Sequence, residues 1–358
     1  MIDAVSLEQE LDKRTFHIGQ IFVEHPAVSE AQFMLRDAMK HGARIREFST
    51  RYLIGYSRCG KSELTKRLIT ELTGKPVAKE EFFQIIEGNG HKIVYADLTS
   101  GATPRVVCRM MLFQLFGDKE CLSTRLTDPE MTALMIRFFR KHGITWLFID
   151  EAQTMLRALT EKSAHKLSEF VFAIENARAF GTTLVGTPRL EHLLRMEDTA
   201  LERQGGIKHL APFAFKTEVE KTGLASFVDT FASKLPYKAN WFQDCEDEDQ
   251  MLLATMYAMR GRPGRFAILN EQAAIRGFDD CGGTPPEVLT REHLAAAVDV
   301  SFKGEERMQG LNPFIDSDFR KLPKFPLNVD EEKQMAPDWT EEPKSPKRRK
   351  GGDLYGAS

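Results

Sequence analysis

This 358-residue chain has few cysteines, almost no net charge and no long apolar run, and each shortage excludes something. The five cysteines (Cys59, Cys108, Cys121, Cys245 and Cys281) are odd in number and scattered. None belongs to a C-x-x-C pair, so neither a disulfide framework nor a zinc site is expected. No apolar run approaches a membrane span, and the opening Met1 to Glu8 has none of the pattern of a signal peptide. The expectation is a cytoplasmic protein with no membrane partner. A net charge of −3 argues against a surface coated in basic residues for nucleic acid. It leaves room for a local basic stripe that oligomerisation would multiply. Beyond Gly304 regular patterning is lacking. Pro313, Pro323, Pro326, Pro337, Pro343 and Pro346 interrupt it, and Lys344 to Lys350 is a basic run. Residues 306–358 are therefore expected to be a Pro-rich, basic tail, disordered or partner-binding.

What the chain does have centres on Gly55-Tyr56-Ser57-Arg58-Cys59-Gly60-Lys61-Ser62, a G-x-x-x-x-G-K-[ST] phosphate loop. The glycines allow a tight turn whose successive N–H groups face phosphate oxygens. Lys61 is placed to reach the β- and γ-phosphates, Ser62 to hold Mg²⁺, and Glu63 follows on the helix. The flanks agree: Arg51 to Ile54 reads as a strand, and Leu64, Leu68 and Leu72 recur at helical spacing before Gly74. Residues 1–50 read as an amphipathic helical lead-in with a bend at Phe22 to Pro26, placed beside the nucleotide base. After an irregular polar stretch from Gly74 to Gly90, His91 to Leu98 reads as a buried strand. Pro104 opens a helix whose apolar face carries Val106, Met110, Leu112, Phe113 and Leu115. Asp128-Pro129-Glu130 reads as cap, first-turn proline and acid, and Met131, Leu134, Met135, Phe138 and Phe139 form one core stripe.

Ile144 to Glu151 is a continuous apolar strand ending in two acids, a Walker B pattern. A strand of this kind, buried on both faces, belongs inside a parallel sheet. Asp150 is assigned to Mg²⁺ and Glu151 to polarising the attacking water. Helix 165–180, strand 182–185, helix 188–196 and strand 207–210 follow. Thr187 ends a strand on the side where open α/β sheets bind ligands, suited to hold the lytic water or sense the γ-phosphate. Strands alternate with helices from 51 to 215, a doubly wound parallel core, and 216–305 contains only helical patterns, a separate lid. Arg203 lies where an arginine would enter a neighbour's nucleotide site. In Gly261-Arg262-Pro263-Gly264-Arg265, either Arg265 or Arg262 is placed to contact the γ-phosphate from a helix start.

In this order the motifs resemble an AAA+ ATPase: an α/β parallel-sheet P-loop core, then a small all-α lid. More narrowly the chain resembles the TniB/TnsC family of transposition regulators, relatives of the phage Mu B protein. The features are the phosphate loop, His25-Pro26, LFIDEAQ at 147–153, LVGTPRL at 184–190, LERQ at 201–204, HLAPF at 209–213 and GRPGRF at 261–266. The family commonly reads L-x-x-R-F before its last strand, whereas here Arg203 stands one place early and the Phe is missing. The resemblance implies ATP hydrolysis with Mg²⁺ and self-assembly into a ring or helical filament on double-stranded DNA. It also implies partners in a transposase and a TniQ-type targeting protein. For DNA contact it points to the loop after the second core strand, here Thr99 and Arg105. A different reading of the same site chemistry is a signalling ATPase switch that acts on a protein partner without DNA. A small-molecule phosphotransferase fits less well, because the lid and the acid pair need no acceptor site.

Overall fold

The computed structural model describes residues 4–45, 50–98, 103–122, 125–156, 161–191, 206–241, 247–302, 304–305 and 308–321. Six strands form one sheet: β1 (Thr50–Gly55), β2 (Phe83–Gly88), β3 (His91–Asp97), β4 (Trp146–Asp150), β5 (Gly181–Gly186) and β6 (Ile207–Leu210). Their order is β2-β3-β4-β5-β1-β6, with β2 antiparallel at the edge and every other pairing parallel. All residues of β4 and β5 are buried, as expected of central parallel strands covered on both sides.

The period of two along these strands sorts their side chains into two cores. Tyr52, Ile54, Val94, Ala96, Leu147, Ile149 and Leu184 face one side. There they meet α4 (Pro104–Phe116), α5 (Asp128–Lys141) and α6 (Glu161–Ala177). Leu53, Ile93, Tyr95, Trp146, Phe148 and Val185 face the other, against α2 (Pro26–Ile45) and α3 (Lys61–Thr73). The result is a three-layer αβα sandwich with the phosphate loop at the carboxyl end of β1. The α/β class expected from the alternation of patterns is the one found.

Several local expectations are corrected. The stretch read as irregular contains β2, joined to β3 by Asn89 and Gly90, both at positive φ (50° and 78°), in a two-residue hairpin loop. The buried face of α4 is Val107, Cys108, Met111 and Leu112, while Phe113 is 46% exposed, so the stripe is rotated from the one read. The cap of α5 is Thr127, whose capping box with Glu130 moves the helix start one residue earlier than the cap read at Asp128. Where a helix is read from Pro188, the chain passes through a 3₁₀ turn, Pro188–Leu190, into a helical residue at Glu191, and the remainder of the stretch read as helix lies within residues 192–205, outside the described set.

A further core is built by α7 (Glu218–Ser233), α8 (Glu248–Met259), α9 (Pro263–Asp280) and α10 (Arg291–Ser301). It also holds β7 (Lys238–Asn240) and β8 (Val288–Thr290), a short parallel pair where the sequence showed only helical patterns. Two outlying segments complete this core. Ile18 of α1 (Ala4–Gln20) and Val23 beyond it pack against the lid helices, so the N-terminal segment is shared: α1 with the lid, α2 with the sheet. At the other end Met308, Phe314 and Phe319 are buried in the same cluster. The side-chain amide of Asn312 donates to the Ala295 carbonyl at 2.7 Å and to Asp299 at 3.0 Å.

Candidate functional site

The phosphate loop owes its shape to backbone conformation. Arg58 and Gly60 both hold positive φ (68° and 89°), which turns consecutive N–H groups toward one hollow at the start of α3. Lys61 is 4% exposed, and its ammonium donates to the Tyr56 carbonyl at 2.9 Å. Burial lowers its pKa, opposed by the nearby charges of Cys59, Glu151 and Asp150. Gly55, Tyr56, Ser57, Cys59, Ser62 and Glu63 all fall in or beside this loop, and Ser62 and Glu63 line the same cleft as Lys61.

Two strands away, with β5 between, β4 delivers the acids to the same end of the sheet. Asp150 is 1% exposed; its carboxylate accepts from the Tyr95 hydroxyl at 2.8 Å and from the Glu151 N–H at 2.9 Å. Register places Asp97 directly beside it on β3, and burial, then Asp150, raises the Asp97 carboxyl above its usual range. Glu151 leaves the strand in a left-handed conformation (φ 54°) and turns into the cleft, which it lines together with Lys61. Thr187 follows β5. Its N–H donates to Gln153 at 3.0 Å, and its hydroxyl oxygen is buried without a partner among the described residues.

The lid closes the other side. Gly264, at the start of α9, donates its N–H to the Arg58 carbonyl at 2.9 Å. A side chain at 264 would put its first carbon 3.0 Å from that same carbonyl oxygen, so glycine is what permits the approach. Arg262 lies over the Tyr56 ring, 5.1 Å from its centre. The cleft between lid and loop has a volume of ≈ 380 Å³, within the ordinary range for small-molecule sites. Its remaining walls come from the Gly19 to Val23 bend, from Phe227 and Phe231 of α7, and from Ile268 and Glu271 of α9. Burial raises the Glu271 carboxyl, with Arg58 opposing.

Three of the stretches behind the family resemblance, His25-Pro26, HLAPF at 209–213 and GRPGRF at 261–266, meet at this junction. The His25 ring packs on Phe213, 5.0 Å between centres, and Phe213 packs on Phe227 at 4.9 Å. The Phe213 N–H donates to the Gly261 carbonyl at 2.7 Å.

Other sequence-derived candidates stand elsewhere. Arg265 is not among the residues lining the cleft; its guanidinium donates two parallel bonds to Glu305, at 2.9 and 3.1 Å, and stacks over Phe302 at 4.1 Å. Glu305 also receives Arg260. The correction has a physical basis: a planar fork matched to a carboxylate is a strong local partner. Of the two arginines considered for the phosphate, Arg262 is the one beside the loop. Arg265→Ala is therefore expected to destabilise the lid by about 1–3 kcal/mol, the range for breaking a partly buried, charge-assisted pair. Nucleotide affinity should stay within about threefold, since 1.4 kcal/mol is tenfold. Urea unfolding and nucleotide titration check the two halves. Arg105 sits in the first turn of α4, 3.6 Å from Asp128. Thr99 and Arg203 lie outside the described residues. Sequence reasoning passed over Tyr95, Asp97, Gln153 and Glu271. Asp97 alone carried a signal, an acid ending a buried strand.

The nucleotide-site residues fit Mg²⁺ in a limited sense. Among the described residues no group of three or more His, Cys, Asp or Glu could hold a metal ion. One hydroxyl, Ser62, and one buried carboxylate, Asp150, match an ion held mainly by phosphate oxygens and water.

Residues 49–194 match the family model described as AAA domain. No curated protein matches the chain in sequence. The fold is similar to that of Cdc6p from Pyrobaculum aerophilum, at 13% identity and a TM-score of 0.54, covering 81% of this chain and 71% of that one. Weaker likenesses include a structure of Drosophila ORC bound to DNA, at 13% identity and a TM-score of 0.46, covering 84% and 70%. Another is a Walker-type ATPase of Pyrococcus abyssi, at 16% identity and a TM-score of 0.43, covering 69% and 67%. At such identities the similarity is one of fold.

Proposed function

We propose that this chain, an ATPase built on an AAA domain, works as an ATP-gated assembly protein on double-stranded DNA and serves target selection in transposition. The observation that supports the reading is the contact of Gly264 with Arg58 beside a cleft lined by both the phosphate loop and the lid. Binding energy for a nucleotide there sets the angle between the two bodies, and that angle is what a neighbouring subunit meets.

Each step rests on this chain's own groups. The loop N–H groups and Lys61 receive the phosphates, and the wall of Ile21, Phe22 and Phe227 takes the base. Glu151, which lines the cleft, accepts a proton from the attacking water. Thr187 offers its unpartnered hydroxyl to that water or to the γ-phosphate. Mg²⁺, arriving with nucleotide, would be held by Ser62 and Asp150 and would neutralise charge developing on the phosphates. Arg203 is kept as the candidate to act in a neighbour's site. Thr99 and Arg105 are kept for DNA, and transposase and a TniQ-type protein as partners, all on the resemblance of the motifs.

Sedimentation with ATP, with and without duplex DNA, is the test. Large assemblies that need both ATP and DNA are expected, falling apart as ATP is consumed. A chain that stays monomeric with both present sinks the proposal. Assembly with ATP on a protein partner, indifferent to DNA, favours the signalling switch suggested by the low net charge.

A further inference from the structure

Gln153 has no role in the chemistry described so far, yet it ties two parts of the site together. It lies in the 3₁₀ turn Ala152–Met155 that follows Glu151. Its amide nitrogen donates to the Glu151 carboxylate, and its amide oxygen accepts the Thr187 N–H at 3.0 Å. The orientation of the amide follows from its partners. A carboxylate only accepts and a backbone N–H only donates, so one way round satisfies both. A side-chain amide is the neutral group able to bridge such a pair. A carboxylate would repel Glu151, and an aliphatic chain would hold neither.

The seat of this amide is built into β5. Gly186 leaves the space: a side chain there would bring its first carbon 2.3 Å from the Gln153 amide oxygen. Glu151 itself sits in a left-handed backbone conformation between the end of β4 and the 3₁₀ turn. The side-chain donor the structure gives its carboxylate is Gln153.

We infer that Gln153 is a positioning residue that aims the Glu151 carboxylate and couples it to the Thr187 turn. Movement of that turn on engaging a γ-phosphate is passed through one side chain to the group that polarises water. This rests on the reading of Glu151 as the water-polarising acid, and the test separates the two.

The variants are Gln153→Leu, which removes both bonds, and Gln153→Glu, which keeps the volume and the acceptor but sets a second carboxylate against Glu151. Each is measured in the full chain for kcat, KM and nucleotide affinity, with thermal unfolding as the check on folding. Gln153→Leu is expected to lower kcat about 10- to 100-fold, the scale of a misaimed catalytic group, and Gln153→Glu more. KM and affinity should stay within about threefold. In a Glu151→Gln background the further change Gln153→Leu should cost less than about threefold, because a residue acting through Glu151 has nothing left to aim. Multiplying losses in the double variant would mark a structural role and overturn the inference. A Gln153→Glu enzyme of normal fold and normal kcat would do the same. If Glu151→Gln alone hydrolyses ATP at full rate, the assignment of the acid fails first. A slow Glu151→Gln beside a normal Gln153→Leu overturns the Gln153 inference alone.

Discussion

Lys61→Ala is expected to abolish nucleotide binding. The ammonium is buried at the base of the loop, where burial lowers its pKa and the charges of Glu151 and Asp150 favour its protonated form. A desolvated cation in that place is worth most when it meets phosphate oxygens, since charge-assisted hydrogen bonds contribute about 1.5–3 kcal/mol each. Losing two such bonds weakens affinity by about 10²- to 10⁴-fold, beyond detection at micromolar nucleotide. Alanine also removes one of the two donors to the Tyr56 carbonyl, leaving the Cys59 N–H at 3.2 Å. Unfolding curves should accompany the titration of a fluorescent ATP analogue, so that loss of binding is not confused with loss of the loop. An affinity within about threefold of the parent, in a folded variant, would show that the loop does not grip phosphate through this residue.

Glu151→Gln is the second large effect, and of a different kind. The replacement keeps the size of the side chain and leaves an oxygen for the Gln153 amide to donate to, so the local structure should hold. What changes is the ability to take a proton. Removing a general base costs about 10²- to 10⁴-fold in rate, so hydrolysis should fall by that much while nucleotide affinity stays within about threefold. With turnover stopped, assemblies formed with ATP and DNA should persist where those of the parent decay. Hydrolysis at the parental rate would remove Glu151 from the mechanism. Slow hydrolysis with assemblies that still decay would separate disassembly from turnover.

On the proposed reading the two variants divide the site into a half that binds and a half that reacts, and the fold accounts for such a division. β5 stands between β1 and β4, so the phosphate loop and the acids approach the nucleotide from different strands. The lid approaches from a third direction through Gly264. Because α1 and residues 308–321 pack into the lid core, both ends of the described chain are anchored on the lid and not on the sheet.

What the sequence determined by itself was whatever a few consecutive residues decide. The phosphate loop, the apolar strand ending in Asp150 and Glu151, and the capped helix before it are contiguous patterns, and they set the α/β class and the candidate phosphate site. Short-range reading failed where its signals are weak. β2 is an edge strand of mixed composition, announced only by Asn89-Gly90, and β7 and β8 are three residues each. Tertiary structure alone decided which polar groups meet. Gln153 finds Thr187 from 34 residues away, Arg265 finds Glu305 from 40, and Tyr95 finds Asp150 from 55. No local pattern encodes these partners. A buried polar group must be satisfied by whatever the packed chain brings within reach, and that is settled only once the sheet has ordered its strands and the lid has seated on the loop.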